Sequence, residues 1–154
     1  MSLYFPMFMD LSEKNVLFVG AGHVNAGRIK TMLDFAGNIK VVSPEADASI
    51  VALDEEGRIS LHRRRFDERD LDGADIVITS TGHAGTDVRI AGMCRRRGIL
   101  VNAASDKSLC DFYFPGIAKK GPLVVGVTSS GEDHTLAAKA SAYFRKILGD
   151  KRDD

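Results

Sequence analysis

The stretch Asn15-Val16-Leu17-Phe18-Val19-Gly20-Ala21-Gly22-His23-Val24-Asn25 decides how this chain is read. Its apolar run from Val16 to Val19 stops at Gly20. A short run bounded by glycine predicts a strand buried in a parallel sheet. Beyond it Val24, Ile29, Met32, Leu33 and Ala36 recur at helical spacing, and Gly37 stands where a C-terminal cap is expected. Strand, glycine turn and helix in this order make a phosphate cradle. Gly20 permits the tight turn, and Gly22 has no side chain to block a pyrophosphate approaching the backbone. The helix start then offers free N–H groups and a favourable dipole. Asn25 stands in place of the third glycine of the usual dinucleotide fingerprint.

Working outward, strands and helices alternate. Ile39-Lys40-Val41-Val42 reads as a second strand, stopped by Ser43-Pro44. Ile50, Val51 and Leu53 suggest a short helix closed near Gly57, and Ile59-Ser60-Leu61-His62 a third strand. Asp75 to Ser80 is a fourth, Asp87 to Arg97 a helix ended by Gly98, and Ile99 to Asn102 a fifth strand. The alternation predicts an α/β, Rossmann-like parallel sheet with helices on both faces and right-handed crossovers. After it the rhythm changes. Phe112-Tyr113-Phe114 and Leu123 to Val127 read as two strands of a hairpin connected by Lys119-Lys120-Gly121-Pro122. A helix from about Thr135 to Leu148 follows, and the tail Asp150 to Asp154 is expected to fray. The expected division is residues 1–111, with the alternating sheet and the dinucleotide turn, and 112–154, with the hairpin and last helix.

Composition limits the partners. With 154 residues there is room for one real core and a small appendage. Lys+Arg and Asp+Glu both number 21, so the balanced charge argues against a nucleic-acid or basic membrane binder. The apolar stretch Leu3 to Met9 is short and interrupted by Pro6, so no signal peptide or membrane span is expected, and a cytoplasmic location is. Cys94 and Cys110 form neither a CxxC pair nor a zinc spacing and read as reduced thiols. The four histidines show no metal-ligand spacing, so any metal is left unassigned.

Ligands of an open parallel sheet bind beyond the carboxyl ends of its strands. Ser43 occupies that place on the second strand, where an acid often binds the ribose. Ser43 can hydrogen-bond a ribose but cannot repel a 2′-phosphate, and with Arg28 and Lys40 nearby in sequence, NAD and NADP both stay open. The loop Ser80-Thr81-Gly82-His83-Ala84-Gly85 follows the fourth strand, and Asn102-Ala103-Ala104-Ser105-Asp106 the fifth. Asp106 falls where a general base could face a ligand. The clusters Arg63-Arg64-Arg65, Arg95-Arg96-Arg97 and Lys119-Lys120 read mainly as solvated faces.

Taken together, several strings resemble a known family: Phe5-Pro6-Met7-Phe8, Val19-Gly20-Ala21-Gly22-His23-Val24, Val41-Val42-Ser43-Pro44-Glu45, Val101-Asn102, Leu109-Cys110-Asp111-Phe112-Tyr113-Phe114-Pro115 and Ser129-Ser130-Gly131. The chain is similar to the precorrin-2 dehydrogenase/sirohydrochlorin ferrochelatase family, the N-terminal module of siroheme synthases. The resemblance implies a Rossmann domain with an interleaved dimerisation region, and hence a homodimer. It also implies oxidation of precorrin-2, a substrate with eight carboxylates, to sirohydrochlorin with NAD+, and in many members insertion of ferrous iron. Gly20, Gly22, His23, Val24, Ser43, Thr81 and Gly82 would meet the dinucleotide; Asn102, Ser105 and Ser129 would meet the tetrapyrrole. The family's acid–base aspartate falls at Ser105, so the proton-transfer role passes to Asp106. Gly82 stands where the family has an acid or amide, Asp87 where it has an asparagine, and Asp133-His134 where a Ser-Pro pair is common. These departures keep two alternatives in view: a chelatase alone, or a dinucleotide- or tetrapyrrole-binding protein without catalysis.

Overall fold

A computed structural model describes residues 3–151 of the chain. It divides into two compact units, one of Met9–Phe112, the other bounded by Met1–Phe8 and Tyr113–Asp154.

The Met9–Phe112 unit is built on five strands: β1 (Asn15–Ala21), β2 (Asn38–Ala46), β3 (Ser60–His62), β4 (Ile76–Thr79) and β5 (Leu100–Ala103). All pair in parallel in the order β3-β2-β1-β4-β5. Three helices join them: α1 (His23–Met32), α2 (Ala48–Glu55) and α3 (Ala84–Arg97). The chain leaves β1 toward β2 on one side and returns to β4 on the other, so β1 and β4 are the switch point of the sheet. β1 is buried from Val16 to Ala21 because both its faces are covered. Leu17, Val19, Val77 and Val101 join Ile90, Ala91 and Cys94 of α3 in one cluster, while α1 packs on β1 and α2. The expected fold class is the one observed.

Element boundaries differ from expectation in instructive places. β2 runs past Ser43-Pro44 to Ala46. β3 pairs only with Lys40, Val41 and Val42, so Pro44 lies beyond the outer neighbour and its missing N–H interrupts no outer ladder. Between Val19↔Val42 and Ala21↔Ala46 the register shifts, and Ser43-Pro44-Glu45 form a bulge opposite Gly20. α1 ends at Met32 with Leu33 as a right-handed cap, so Gly37 is not its cap. Gly37 instead lies close to the Ser12 carbonyl, 2.9 Å from where its Cβ would be. α3 begins at Ala84, three residues before the expected start at Asp87, and its first turn, Ala84-Gly85-Thr86, carries no apolar periodicity to announce it.

In the other unit β6 (Gly116–Lys120) pairs antiparallel with β7 (Leu123–Val127), and α4 (His134–Leu148) packs on both. A hairpin is present as expected, but its first strand is not Phe112-Tyr113-Phe114: register with β7 starts at Gly116↔Val127, and Lys119 and Lys120, expected in the connection, pair with Val124 and Leu123, leaving Gly121-Pro122 as the turn. Gly116 is fitted to α4, since the Ser141 hydroxyl lies 2.0 Å from where its Cβ would stand. Tyr113 meets the ring of Tyr4 edge-on at 4.5 Å. Asp133 caps α4 by accepting from the Leu136 N–H at 2.8 Å, and Gly149 closes it in the left-handed conformation. The tail is tied further than expected: the Asp150 carboxylate accepts from the Lys119 N–H at 2.8 Å. The rest of the expected frayed segment from residue 152 on lies outside the described residues. Among the described residues no helix is long and apolar enough to cross a membrane.

Candidate functional site

The carboxyl ends of β1, β2, β4 and β5 bring most of the candidate residues of the Met9–Phe112 unit to one edge of the sheet. Gly20 and Gly22 serve that edge for different reasons. Gly20 has φ +92, and a Cβ there would lie 2.2 Å from the Ser80 carbonyl oxygen. Only glycine allows the β1 turn and the strand beside it to approach this closely. Gly22 has ordinary backbone angles as the N-cap of α1, and a Cβ there would meet nothing within 4 Å. The space before the helix is open, no side chain caps it, and no acid stands in its first turn. His23 and Val24, exposed, are its first two residues. This is a start that can receive an anion on backbone N–H groups.

Asn25 takes the third-glycine position without opening the turn. Fully buried, it donates from Nδ2 to the Gly20 carbonyl at 2.8 Å and the Val19 carbonyl at 3.3 Å. It replaces close helix–strand packing with a clamp on the turn itself.

Ser43 lies in the β2 bulge and is buried. Asp47, which sequence reasoning passed over, reaches the same turn through its backbone: its N–H donates to the Ala21 carbonyl at 2.8 Å. Its carboxylate caps α2 on Ser49, and hydrogen bonds from the Ser49 hydroxyl and N–H hold it below the usual carboxylate range. The two basic residues near Ser43 in sequence are both engaged. Lys40 pairs with buried Asp70 at 2.7 Å, and Arg28 donates to Asn102 Oδ1 at 2.9 Å. Burial pushes the Arg28 guanidinium below its ordinary value.

The β4–α3 loop carries Thr81, Gly82 and His83. Gly82 is left-handed at φ +76, and His83, exposed, is the N-cap of α3. Asn102 is buried at the end of β5, with Nδ2 donating to the Phe112 carbonyl at 2.8 Å and Oδ1 receiving Arg28. Both ends of its carboxamide are therefore used inside the protein. Ser105 and Asp106 are exposed just beyond. Asp106 caps the short turn Lys107–Leu109 by accepting from the Ser108 N–H at 2.8 Å. Hydrogen bonds from Ser108, side chain first and backbone second, hold its carboxyl below the usual range. The Cys110 thiol is set against Ala103, accepting from its N–H at 3.3 Å, and burial raises its pKa. Cys94 is pushed up to about 11 by burial. Both thiols are free.

Ser129 belongs to the other unit, where its hydroxyl accepts from the Asp133 N–H at 3.1 Å. Beside it Ser130 is buried with φ 57, a left-handed conformation uncommon outside glycine. The arginine clusters are partly structural. Arg64 binds Asp70 with both terminal nitrogens, Arg97 joins Glu68 and Asp72, and Arg95 donates to the Ser108 carbonyl. A hollow of about 500 Å³ opens at the opposite edge of the sheet, where Asn15, Asn38 and Ser60 begin β1, β2 and β3.

An open parallel sheet with a glycine turn and an uncapped helix start at its switch point defines a Rossmann-like dinucleotide-binding protein. The chain belongs to the family described as "Putative NAD(P)-binding", whose model matches residues 7–116. It is similar to the siroheme synthase of Pseudoalteromonas atlantica, 34% identical over 145 residues, 94% of this chain and 30% of that protein. The siroheme synthase of Pseudomonas entomophila is 32% identical over 151 residues, covering 96% of this chain and 33% of that protein. That of Methylococcus capsulatus is 34% identical over 134 residues, 87% and 28% respectively. The chain thus spans about a third or less of the length of these relatives. A solved structure titled "SirC, precorrin-2 dehydrogenase" shares the fold, with a TM-score of 0.73 at 24% identity over 94% of this chain and 71% of that one. The family resemblance carried by the sequence strings is borne out by these matches.

Proposed function

We propose that this chain is an NAD+-dependent dehydrogenase that oxidises precorrin-2 to sirohydrochlorin. The observation that carries the reading is the open, uncapped start of α1 behind Gly22, in a chain similar over nearly its whole length to siroheme synthases. The residues fit a dinucleotide: a Cβ at Gly22 would stand in the space the pyrophosphate needs, and the first turn of α1 brings no opposing carboxylate. The backbone N–H groups of His23 and Val24 would hold the pyrophosphate, Ser43 the ribose, and Thr81 and Gly82 the far side of the cofactor. NAD+ is favoured over NADP+ because Arg28 and Lys40 are engaged by Asn102 and Asp70.

When bound, NAD+ supplies the hydride acceptor. The substrate loses one hydride and one proton, and the proton goes to Asp106. Its hydrogen bonds to Ser108 keep that carboxylate ionised and ready to accept, though as a weak base. Ser105 can hydrogen-bond the substrate but cannot take its proton near neutral pH. Asn102 orders this edge from behind by joining Arg28 to Phe112, and Ser129 is proposed as a further tetrapyrrole contact. Among the described residues no group of three or more His, Cys, Asp or Glu is placed to hold a metal ion. We also propose that the working form is a homodimer.

Anaerobic turnover of enzymatically generated precorrin-2 with NAD+ tests the reading: NADH should form in step with sirohydrochlorin. The second reading, a binding protein without catalysis, is favoured by Ser105 at the family's aspartate position. It predicts NAD+ binding with no NADH.

A further inference from the structure

Asp87 is a buried carboxylate that the mechanism above does not use. It lies in the first turns of α3 and is 1% exposed. One of its oxygens is heavily engaged. Oδ1 receives the Thr79 hydroxyl at 2.5 Å, the Thr81 hydroxyl at 2.9 Å and the Thr81 N–H at 3.3 Å. The other, Oδ2, is buried with no partner. Burying an acid with one oxygen unsatisfied is costly, and an apolar residue in that place would avoid the cost. What Asp87 does in return is hold Thr81 at two atoms, backbone and side chain.

Thr81 is the hub of its loop, since its hydroxyl also accepts from the His83 N–H at 3.2 Å. The loop in turn lies against the phosphate turn. The Ser80 N–H donates to the Val19 carbonyl at 2.9 Å. The Ser80 carbonyl lies 2.2 Å, and Thr81 Cα 3.2 Å, from where a Gly20 Cβ would be. Asn25 grips the Gly20 carbonyl from the helix side. Gly20 is therefore held between two side-chain anchors, Asn25 directly and Asp87 through Thr81.

We propose that Asp87 is a positioning residue for the dinucleotide: its Oδ1 fixes Thr81, and through Thr81 the apposition of the β4–α3 loop and the glycine turn on which the cradle depends. This rests on the dinucleotide reading given above. It assigns to a buried helix residue a share in cofactor affinity without contact to the cofactor.

The test is calorimetric titration of NAD+ into the full chain and into D87A, T81V, D87A/T81V and D87N, with a melting curve for each. D87A and T81V should each raise Kd about tenfold. The double variant should bind about as weakly as the weaker single, because both break the same link. D87N keeps an acceptor oxygen toward Thr81 and places its amide at the empty Oδ2 position, so it should return Kd to within about threefold of wild type. A D87A protein that melts earlier yet binds NAD+ with wild-type Kd overturns the positioning role and leaves the cofactor reading standing. So do single effects that simply add. If D87A does not fold, T81V decides alone: a wild-type Kd overturns the proposal. A wild-type chain that binds neither NAD+ nor NADP+ overturns the cofactor reading itself, and the proposal with it.

Discussion

In the Met9–Phe112 unit β1 is buried from Val16 to Ala21, and Phe18, Ile78 and Val101 of the sheet are fully buried. In the C-terminal unit the hairpin buries Ala118 alone and α4 only Ser141, while Leu136, Tyr143, Phe144 and Ile147 of α4 stay exposed at 59, 62, 37 and 58%. The first unit completes its own core. The second carries an apolar helix stripe that its two strands do not cover, and a two-stranded hairpin is marginal alone. The difference separates two jobs. The parallel unit can hold a cofactor by rigid backbone apposition. The exposed stripe of α4 is a face that another surface can cover, and we propose a second copy.

Substitution at Gly20 strikes the finished unit where it is tightest. Gly20→Ala puts a Cβ against the Ser80 carbonyl and on a φ of +92, so it should destabilise by about 3–5 kcal/mol and lower the melting temperature by more than about 10 °C. A melting curve that overlays wild type would break the claim that the two loops interlock. The unfinished unit is tested on α4. Tyr143→Glu with Ile147→Glu charges the exposed stripe, and light scattering should show the mass fall from two chains to one. A wild-type chain already monomeric at micromolar concentration would sink the dimer. The smallest effect belongs to Asp70, whose carboxyl Arg64 and Lys40 hold well below the usual range. Its folded pKa is depressed, so its contribution is present above the unfolded value of about 3.9 and is lost as pH falls below it. Asp70→Asn should melt a few degrees early at pH 7, a modest gap because Arg64 is half exposed, and the gap should close as pH drops below about 4.

The parallel unit is legible in the sequence because its signals are local. Val16 to Val19, Val41-Val42 and Ile76 to Ile78 are apolar runs that only a doubly covered sheet needs, and glycine marks the turn at Gly20. What escapes such reading depends on partners distant in sequence. β2 continues through Pro44 because β3 is too short to need its N–H. β6 is Gly116-Ile117-Ala118-Lys119-Lys120, with a single large apolar residue, and register with β7 and closeness to Ser141 turn it into a strand, whereas the aromatic Phe112-Tyr113-Phe114 is not one. At the site, the glycine turn and its loops are visible in the spacing. The Arg28–Asn102 bond spans 74 residues, and Asp87 holds Thr81 from inside a helix whose first turn has no apolar pattern. Neither carries a local signature. The expected replacement of Ser105 by Asp106 is a one-residue matter on an exposed segment, where Asp106 also serves as a cap.

We propose that the glycine turn of the Met9–Phe112 unit holds the hydride acceptor for precorrin-2. The most direct measurement is anaerobic turnover of precorrin-2 with NAD+, run side by side on wild type and Gly22→Val. Gly22 has ordinary backbone angles and open space at its Cβ, so the variant should fold as wild type does while its side chain fills the cradle. The account predicts NADH and sirohydrochlorin forming together in wild type and neither in the variant. Wild type that binds NAD+ yet forms no NADH, or a Gly22→Val protein that turns over at the wild-type rate, would contradict it.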